Sequence, residues 1–196
     1  MSAHTPTVRM SLVPEGRSSL LRLYLGRGVL AVAWAAAFAV NRGSLDGTAV
    51  TLLVVYPLID AVSSLIDFRA RTEGSERRLT LFNGVLSTLV ALALGLAGTV
   101  GLEAVLHVFG AWAVISGVAQ ILVGFRRRSP ELGKQWPMLI AGGLSVLAGT
   151  SWNFQALADD PSLNVLPVYA AAGGAFFILQ AGLLARKARR VRTRTA

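Results

Sequence analysis

Residues 77–128 read RRLTLFNGVLSTLVALALGLAGTVGLEAVLHVFGAWAVISGVAQILVGFRRR, and this stretch decides the fold. Two apolar runs, Leu79 to Gly98 and Ala104 to Phe125, meet at a short turn carrying Glu103 and are closed off by arginine at their far ends. A helix needs about 20 mainly apolar residues to cross roughly 30 Å of hydrocarbon, and each run is that long. Strands of a membrane barrel alternate apolar and polar over about ten residues, whereas Val85 to Val100 has no period of two. The stretch therefore reads as a helical membrane hairpin whose two ends lie on its arginine side.

Working outward, the same pattern recurs at Leu20 to Val40, Thr48 to Phe68, Trp136 to Phe154 and Leu166 to Ala185. Six spans with short loops use nearly all of the 196 residues, and 54% hydrophobic against 15% charged residues suits lipid better than water. The expected architecture is an all-α polytopic membrane protein of six transmembrane helices. A polar segment (1–19) precedes a membrane domain (20–185), and a basic tail (186–196) follows it.

Eighteen of the 19 Lys and Arg residues fall at one end of these spans. They are Arg9, Arg17, Arg22 and Arg27; Arg69, Arg71, Arg77 and Arg78; Arg126, Arg127, Arg128 and Lys134; and Arg186, Lys187, Arg189, Arg190, Arg192 and Arg194. The opposite loops hold Arg42 with Asp46, Glu103, Asp159 and Asp160. Positive loops stay in the cytoplasm, so both termini are expected there. Topology also accounts for the net charge of +9, which in a soluble chain would prompt a nucleic-acid reading. No nucleic-acid partner is expected; the bilayer is the expected partner, with anionic headgroups at the basic tail.

Cysteine is absent, which excludes thiolate catalysis and Cys-based metal sites. No cofactor or metal is expected. Ala37-Phe38-Ala39 fits a signal-peptide cleavage pattern, but an internal repeat argues against removal of the first span.

That repeat has a period near 57 residues. Arg22 to Leu30 matches Arg78 to Leu86, and both match Trp136 to Leu144; Leu58 to Ile66 resembles Val114 to Leu122, and Gly117 maps to Gly174. The chain is one helical hairpin written three times, at about 20–71, 79–128 and 136–190. Each unit begins and ends on the arginine side, so the repeats are parallel, unlike the inverted repeats of many alternating-access carriers. Gly28, Gly84 and Gly142 recur at one depth, Gly110, Gly117 and Gly124 recur every seven residues, and Ala170 with Gly174 makes a small-xxx-small pair. Small residues let helix backbones approach in lipid, so these positions read as packing seams.

Charged and polar residues inside a membrane are costly. Arg27 lies seven residues into span one and Asp60 eight before the end of span two. At about 1.5 Å per residue both sit roughly 10–12 Å deep, so they are expected to pair across the hairpin. Asn83, which the repeat maps onto Arg27, together with Ser116, Gln120 and Gln180, extends this layer. Tyr56, Asp60, Ser63, Ser64 and Asp67 share one face of span two, with Pro57 predicted to kink it. Two readings stay open: a hydrated proton site facing the cytoplasm, or interhelical hydrogen bonds that set helix register. The outer halves of the spans are almost wholly apolar, and no through-channel is evident.

His107, near the outer end of span four, reads either as a sensor of external acid or as an interfacial histidine. Trp34, Trp112, Trp136 and Trp152, with Tyr24 and Tyr169, read as aromatic belts at the membrane surfaces.

The strings Phe109-Gly-Ala-Trp-Ala-Val-Ile-Ser-Gly-Val-Ala-Gln-Ile121 and Trp136-Pro-Met-Leu-Ile-Ala-Gly-Gly-Leu-Ser-Val-Leu-Ala-Gly149, joined by Arg126 to Arg128, resemble the HdeD-type short-repeat membrane family. The resemblance implies a bacterial inner-membrane protein with six spans and an association with acid resistance for the namesake. It supplies no catalytic or binding residue, and the first hairpin departs most from it by carrying Arg27 and Asp60. No nucleophile, base and orienting group converge in the sequence, so an enzyme is not expected. Three functions remain: a membrane protein of envelope or acid-stress tolerance, a small proton-coupled transporter or channel using the polar layer, and a homo-oligomer or assembly partner recruited through the glycine seams.

Overall fold

A computed structural model describes residues 14–41, 44–70, 74–126 and 136–195, so Arg9, Arg42, Arg71, Arg127, Arg128 and Lys134 lie outside the described residues. Among those described are six helices: α1 (Pro14–Val40), α2 (Gly47–Ala70), α3 (Ser75–Val100), α4 (Leu102–Arg126), α5 (Trp136–Gln155) and α6 (Val165–Thr195). The segment expected to be a basic tail continues α6 through Thr195, and residues 14–19 begin α1.

Local chemistry sets the ends. Asp46 caps α2 by accepting the Ala49 N–H on Oδ1 at 2.8 Å, satisfying one of the first-turn donors that a helix leaves without a partner. Between α3 and α4 a single residue, Gly101, turns the chain at φ 147°, a conformation that side-chain-bearing residues rarely adopt. Its N–H donates to the Ala97 carbonyl at 3.0 Å and its own carbonyl accepts from Val105 at 3.2 Å, so the turn leaves neither group unmet.

Five helices are long and apolar enough to cross a membrane: Leu21–Val40, Gly47–Arg69, Arg77–Val100, Leu102–Phe125 and Val165–Leu183. The chain is thus a multi-pass membrane protein. Helix α5 differs in composition because Thr150, Ser151, Asn153 and Gln155 occupy its last two turns. Three of these polar groups are turned back onto the helix itself, Thr150 Oγ1 to the Val146 carbonyl at 2.8 Å, Ser151 Oγ to the Ala148 carbonyl at 2.7 Å and Asn153 Nδ2 to the Gly149 carbonyl at 2.8 Å.

The helices form a closed ring in which each packs on its two neighbours, and the most extensive contacts are α4 on α5, α2 on α3 and α1 on α6. These tight pairs fall between the hairpins expected from sequence, while the two helices within each expected hairpin meet less extensively. Glycine explains why. An added Cβ on Gly28 would lie 2.8 Å from the Gly174 carbonyl oxygen, and one on Gly117 would lie 2.6 Å from that of Gly142. Gly110 meets the Gly149 carbonyl at 2.7 Å in the same way, Gly124 is buried, and Gly84 is looser, 3.5 Å from the Ser64 side chain. Backbones this close gain dispersion contact without any polar driving force.

Inside the ring, the half remote from the arginines is filled by apolar side chains. Phe38, Leu53, Leu94, Leu106, Phe109 and Leu166 are fully buried there. The surface-belt expectation fails for three tryptophans: Trp34, Trp112 and Trp152 are 4%, 8% and 3% exposed, whereas Trp136 remains exposed. Their rings pack face-tilted or edge-on through Tyr56, Phe109 and Tyr169, with Trp34 4.4 Å from Tyr56, Phe109 5.4 Å from Trp152 and Trp152 4.9 Å from Tyr169. Hydrocarbon outside the ring offers no hydrophobic gain for burial, so interlocking rings of defined geometry replace it as a source of specificity.

Candidate functional site: an ion-pair cluster between three helices

The arginine-rich half of the ring is polar, and its centre is Asp60 on α2. Arg27 on α1 forms an ion pair with Asp60 Oδ1. The second oxygen, Oδ2, accepts from Asn83 Nδ2 at 2.5 Å and from Ser87 Oγ at 2.7 Å, both on α3. Asn83 spends its other amide hydrogen on Ser64 Oγ at 2.9 Å. One carboxylate thereby ties α1, α2 and α3 together with both of its oxygens occupied. Charge-assisted bonds of this kind are stronger than neutral ones, and in a low-dielectric setting the pair neutralises two otherwise costly charges.

Helical spacing explains how the sequence assembles this group. Asp60 and Ser64 are four apart on α2, and Asn83 and Ser87 are four apart on α3, so each pair shares a face. The two faces meet because Gly84 sits between them against Ala61 and Ser64. Arg27 precedes Gly28, whose close approach to α6 brings the guanidinium carbon 5.0 Å from the centroid of the Phe177 ring. That cation–π contact covers a face of the charge that the carboxylate does not reach. The ion-pair side chains keep 18% and 20% of their surface accessible.

Of the residues singled out from sequence, Arg27, Asp60, Ser64 and Asn83 come together, and Ser87 joins them unannounced. Its signal was available in the i+4 spacing from Asn83. Ser63 is buried but donates to the Ile59 carbonyl of its own helix at 2.6 Å. Ser116 has a buried hydroxyl oxygen with no hydrogen-bond partner among the described residues. Gln120 and Gln180 are half-buried on α4 and α6 and take no part in the cluster around Asp60 among the described residues. The layer is therefore concentrated on the first three helices.

Two further polar contacts lie outside the predicted set. Ser145 and the Tyr169 hydroxyl meet at 2.9 Å between α5 and α6, and His107 Nδ1 lies 2.9 Å from Asn153 Oδ1 between α4 and α5. Asn153 donates its amide to the Gly149 carbonyl at 2.8 Å, so its oxygen faces the ring and His107 Nδ1 is the donor. His107, near the outer end of α4, is thus tied to the neighbouring helix. Among the described residues no group of three or more His, Asp or Glu side chains could hold a metal ion.

The fold and cluster define a multi-pass helical membrane protein with an intramembrane ion pair. Residues 84–151, from α3 into α5, match a family described as a short repeat of unknown function, DUF308. No curated protein and no solved structure matches the chain. The matched segment contains Ser116 and Gln120 but stops short of Arg27 and Asp60, so the charged pair lies outside it.

Proposed function

We propose that this chain is a non-enzymatic, six-span membrane protein of the HdeD type, with both termini in the cytoplasm of a bacterial cell, serving envelope or acid-stress tolerance. In this reading the cluster acts as a lock that holds three helices in register. The observation that carries the lock is that both Asp60 oxygens are engaged, one by Arg27 and the other by Asn83 and Ser87. A carboxylate so occupied offers little to a passing proton or ion. The match to a short repeat of unknown function and the apolar helices are consistent with this class, and the acid-tolerance role comes from the resemblance of the Phe109 to Gly149 region. The test is survival of acid challenge by cells carrying wild-type, deleted or Asp60→Asn protein at matched membrane levels. Deletion should lower survival. A deletion strain that survives as well as wild type removes the acid-tolerance role.

A second reading, a small proton-coupled transporter or channel, draws on two facts. The ion-pair side chains retain about a fifth of their surface, and Ser116, the repeat equivalent of Asp60, has a buried hydroxyl oxygen with no partner among the described residues. Proton or ion movement in reconstituted liposomes, lost in Asp60→Asn, would favour it over the lock. Silent liposomes across several pH gradients would count against it.

A further inference from the structure

Helices α3 and α4 are consecutive, yet they pack on each other less extensively than α3 packs on α2 or α4 on α5. Gly101 pins their tips together with a one-residue turn at the end remote from the arginines. From that vertex the helices diverge, and towards the arginine-rich end a cleft of about 320 Å³ opens between them. Leu79 and Phe82 line one wall and Ile115, Val118 and Leu122 the other.

Its chemistry restricts what can occupy it. A stable water needs two to four polar partners, and this lining offers only hydrocarbon. An empty cleft would forfeit dispersion contacts along both walls. A helix from a second copy needs small residues to approach closely, yet the rim here carries Phe82, Ile115 and Leu122, which are 48%, 43% and 53% exposed. A flexible acyl chain is thinner than a helix and has no such requirement.

The mouth of the cleft adds charge. Arg78 is exposed and immediately precedes Leu79, which lines the cleft. Arg77 is differently disposed, stacked 4.1 Å over the Phe68 ring, so among the described side chains the outward-facing cation at this corner is Arg78. A cation at headgroup depth above an apolar slot matches an anionic headgroup above an acyl chain. We propose that the α3–α4 cleft is a binding site for one anionic phospholipid, its chain between Phe82 and Val118 and its phosphate at Arg78. This site depends on the bilayer setting and is separate from any role of the Asp60 cluster.

The test uses the full chain purified in a mild detergent, incubated with phosphatidylglycerol or phosphatidylcholine, and read by native mass spectrometry. One phosphatidylglycerol should be retained in preference to phosphatidylcholine. Val118→Trp should reduce retention of both lipids, because it fills the slot from a lipid-facing position that tolerates bulk. Leu122→Trp, on the exposed rim, gives a second filling variant if the first is not monodisperse. Arg78→Gln should leave the slot intact but lower the preference for phosphatidylglycerol by about fivefold at low salt. Equal retention of the two lipids by the wild type, or unchanged retention in both filling variants, overturns the site. So does a disulfide-linked dimer formed through Val118→Cys in place of bound lipid, since it would assign the cleft to a second copy.

Discussion

Removing one member of the Arg27–Asp60 pair should be worse than removing both. Asp60→Asn keeps an oxygen for Asn83 or Ser87 but takes from the Arg27 guanidinium the carboxylate it is paired with, leaving the Phe177 ring at its face. Breaking a buried ion pair from one side costs about 3–5 kcal/mol, and an unpaired charge near a helix centre about 2.5–3.5 kcal/mol on insertion scales. Both side chains retain some accessible surface, 18% and 20%, so the lower end applies, about 2–3 kcal/mol. Arg27→Met should cost about 2 kcal/mol, because the Asn83 and Ser87 donors still stabilise the remaining carboxylate. In Arg27→Met/Asp60→Asn neither charge of the pair remains, and the amide oxygen introduced in place of the carboxylate can still accept from α3. The double variant should then lie closer to wild type than either single, with a coupling of about 2 kcal/mol or more. The assay is reversible unfolding in mixed detergent and sodium dodecyl sulfate micelles, followed by Trp fluorescence. A coupling below about 0.5 kcal/mol, within the range of independent sites, would refute the idea that these charges act as a pair.

Three other outcomes follow from particular contacts. Gly117→Ala should destabilise strongly and Gly84→Ala only mildly, since the added methyl meets a carbonyl oxygen at 2.6 Å in the first case and a side chain at 3.5 Å in the second; unfolding of the two variants should rank accordingly. Trp112→Phe deletes one ring of the indole but also removes an N–H that is buried without a partner among the described residues, and it keeps an aromatic ring against Tyr56 and Phe109, so its cost should stay below the roughly 3–5 kcal/mol of a full truncation, which Trp112→Ala should show. Cysteine placed at Asp159 should react with an impermeant maleimide on intact cells and cysteine at Arg78 should not; the reverse labelling pattern would invert the proposed topology.

The parts of this molecule that were legible in its sequence are those set by the bilayer. Run length placed the helices, and the six predicted spans fall within the six described helices. Depth along the helix placed Arg27 level with Asp60, because rise per residue is constant whatever the neighbours are. The repeat was equally visible, yet it suggested units of one hairpin, whereas the closest packing joins α2 to α3, α4 to α5 and α6 to α1. Sequence order does not reveal which flank of a helix carries the tighter contact; that depends on where glycine faces, as at Gly117 and Gly142. The buried tryptophans were misplaced for a related reason. Hydropathy records that Trp152 lies towards the end of its helix, but only the packing of α5 beside α4 and α6 puts its ring against Phe109 and Tyr169.

Comparing the three hairpins aligned by the sequence repeat explains why a single charged pair is enough. The alignment sets Arg27, Asn83 and Ala141 against one another, and Asp60, Ser116 and Gly173 likewise. At these positions the layer is charged in the first unit, polar in the second and devoid of polar side chains in the third. Ring closure makes these differences complementary. The third unit presents Phe177 on α6 to the face of Arg27, and its Gly173 leaves room where an added Cβ would come 4.0 Å from the Tyr56 hydroxyl oxygen. The second unit supplies Asn83 and Ser87 to the far oxygen of Asp60. A pair of charges in every repeat would multiply the desolvation cost of the layer, and six ionised groups in one narrow ring would also repel their like-charged neighbours. Confining the charge to one pair, and giving the other two units the donors and the ring that surround it, keeps the layer neutral while still linking α1, α2 and α3.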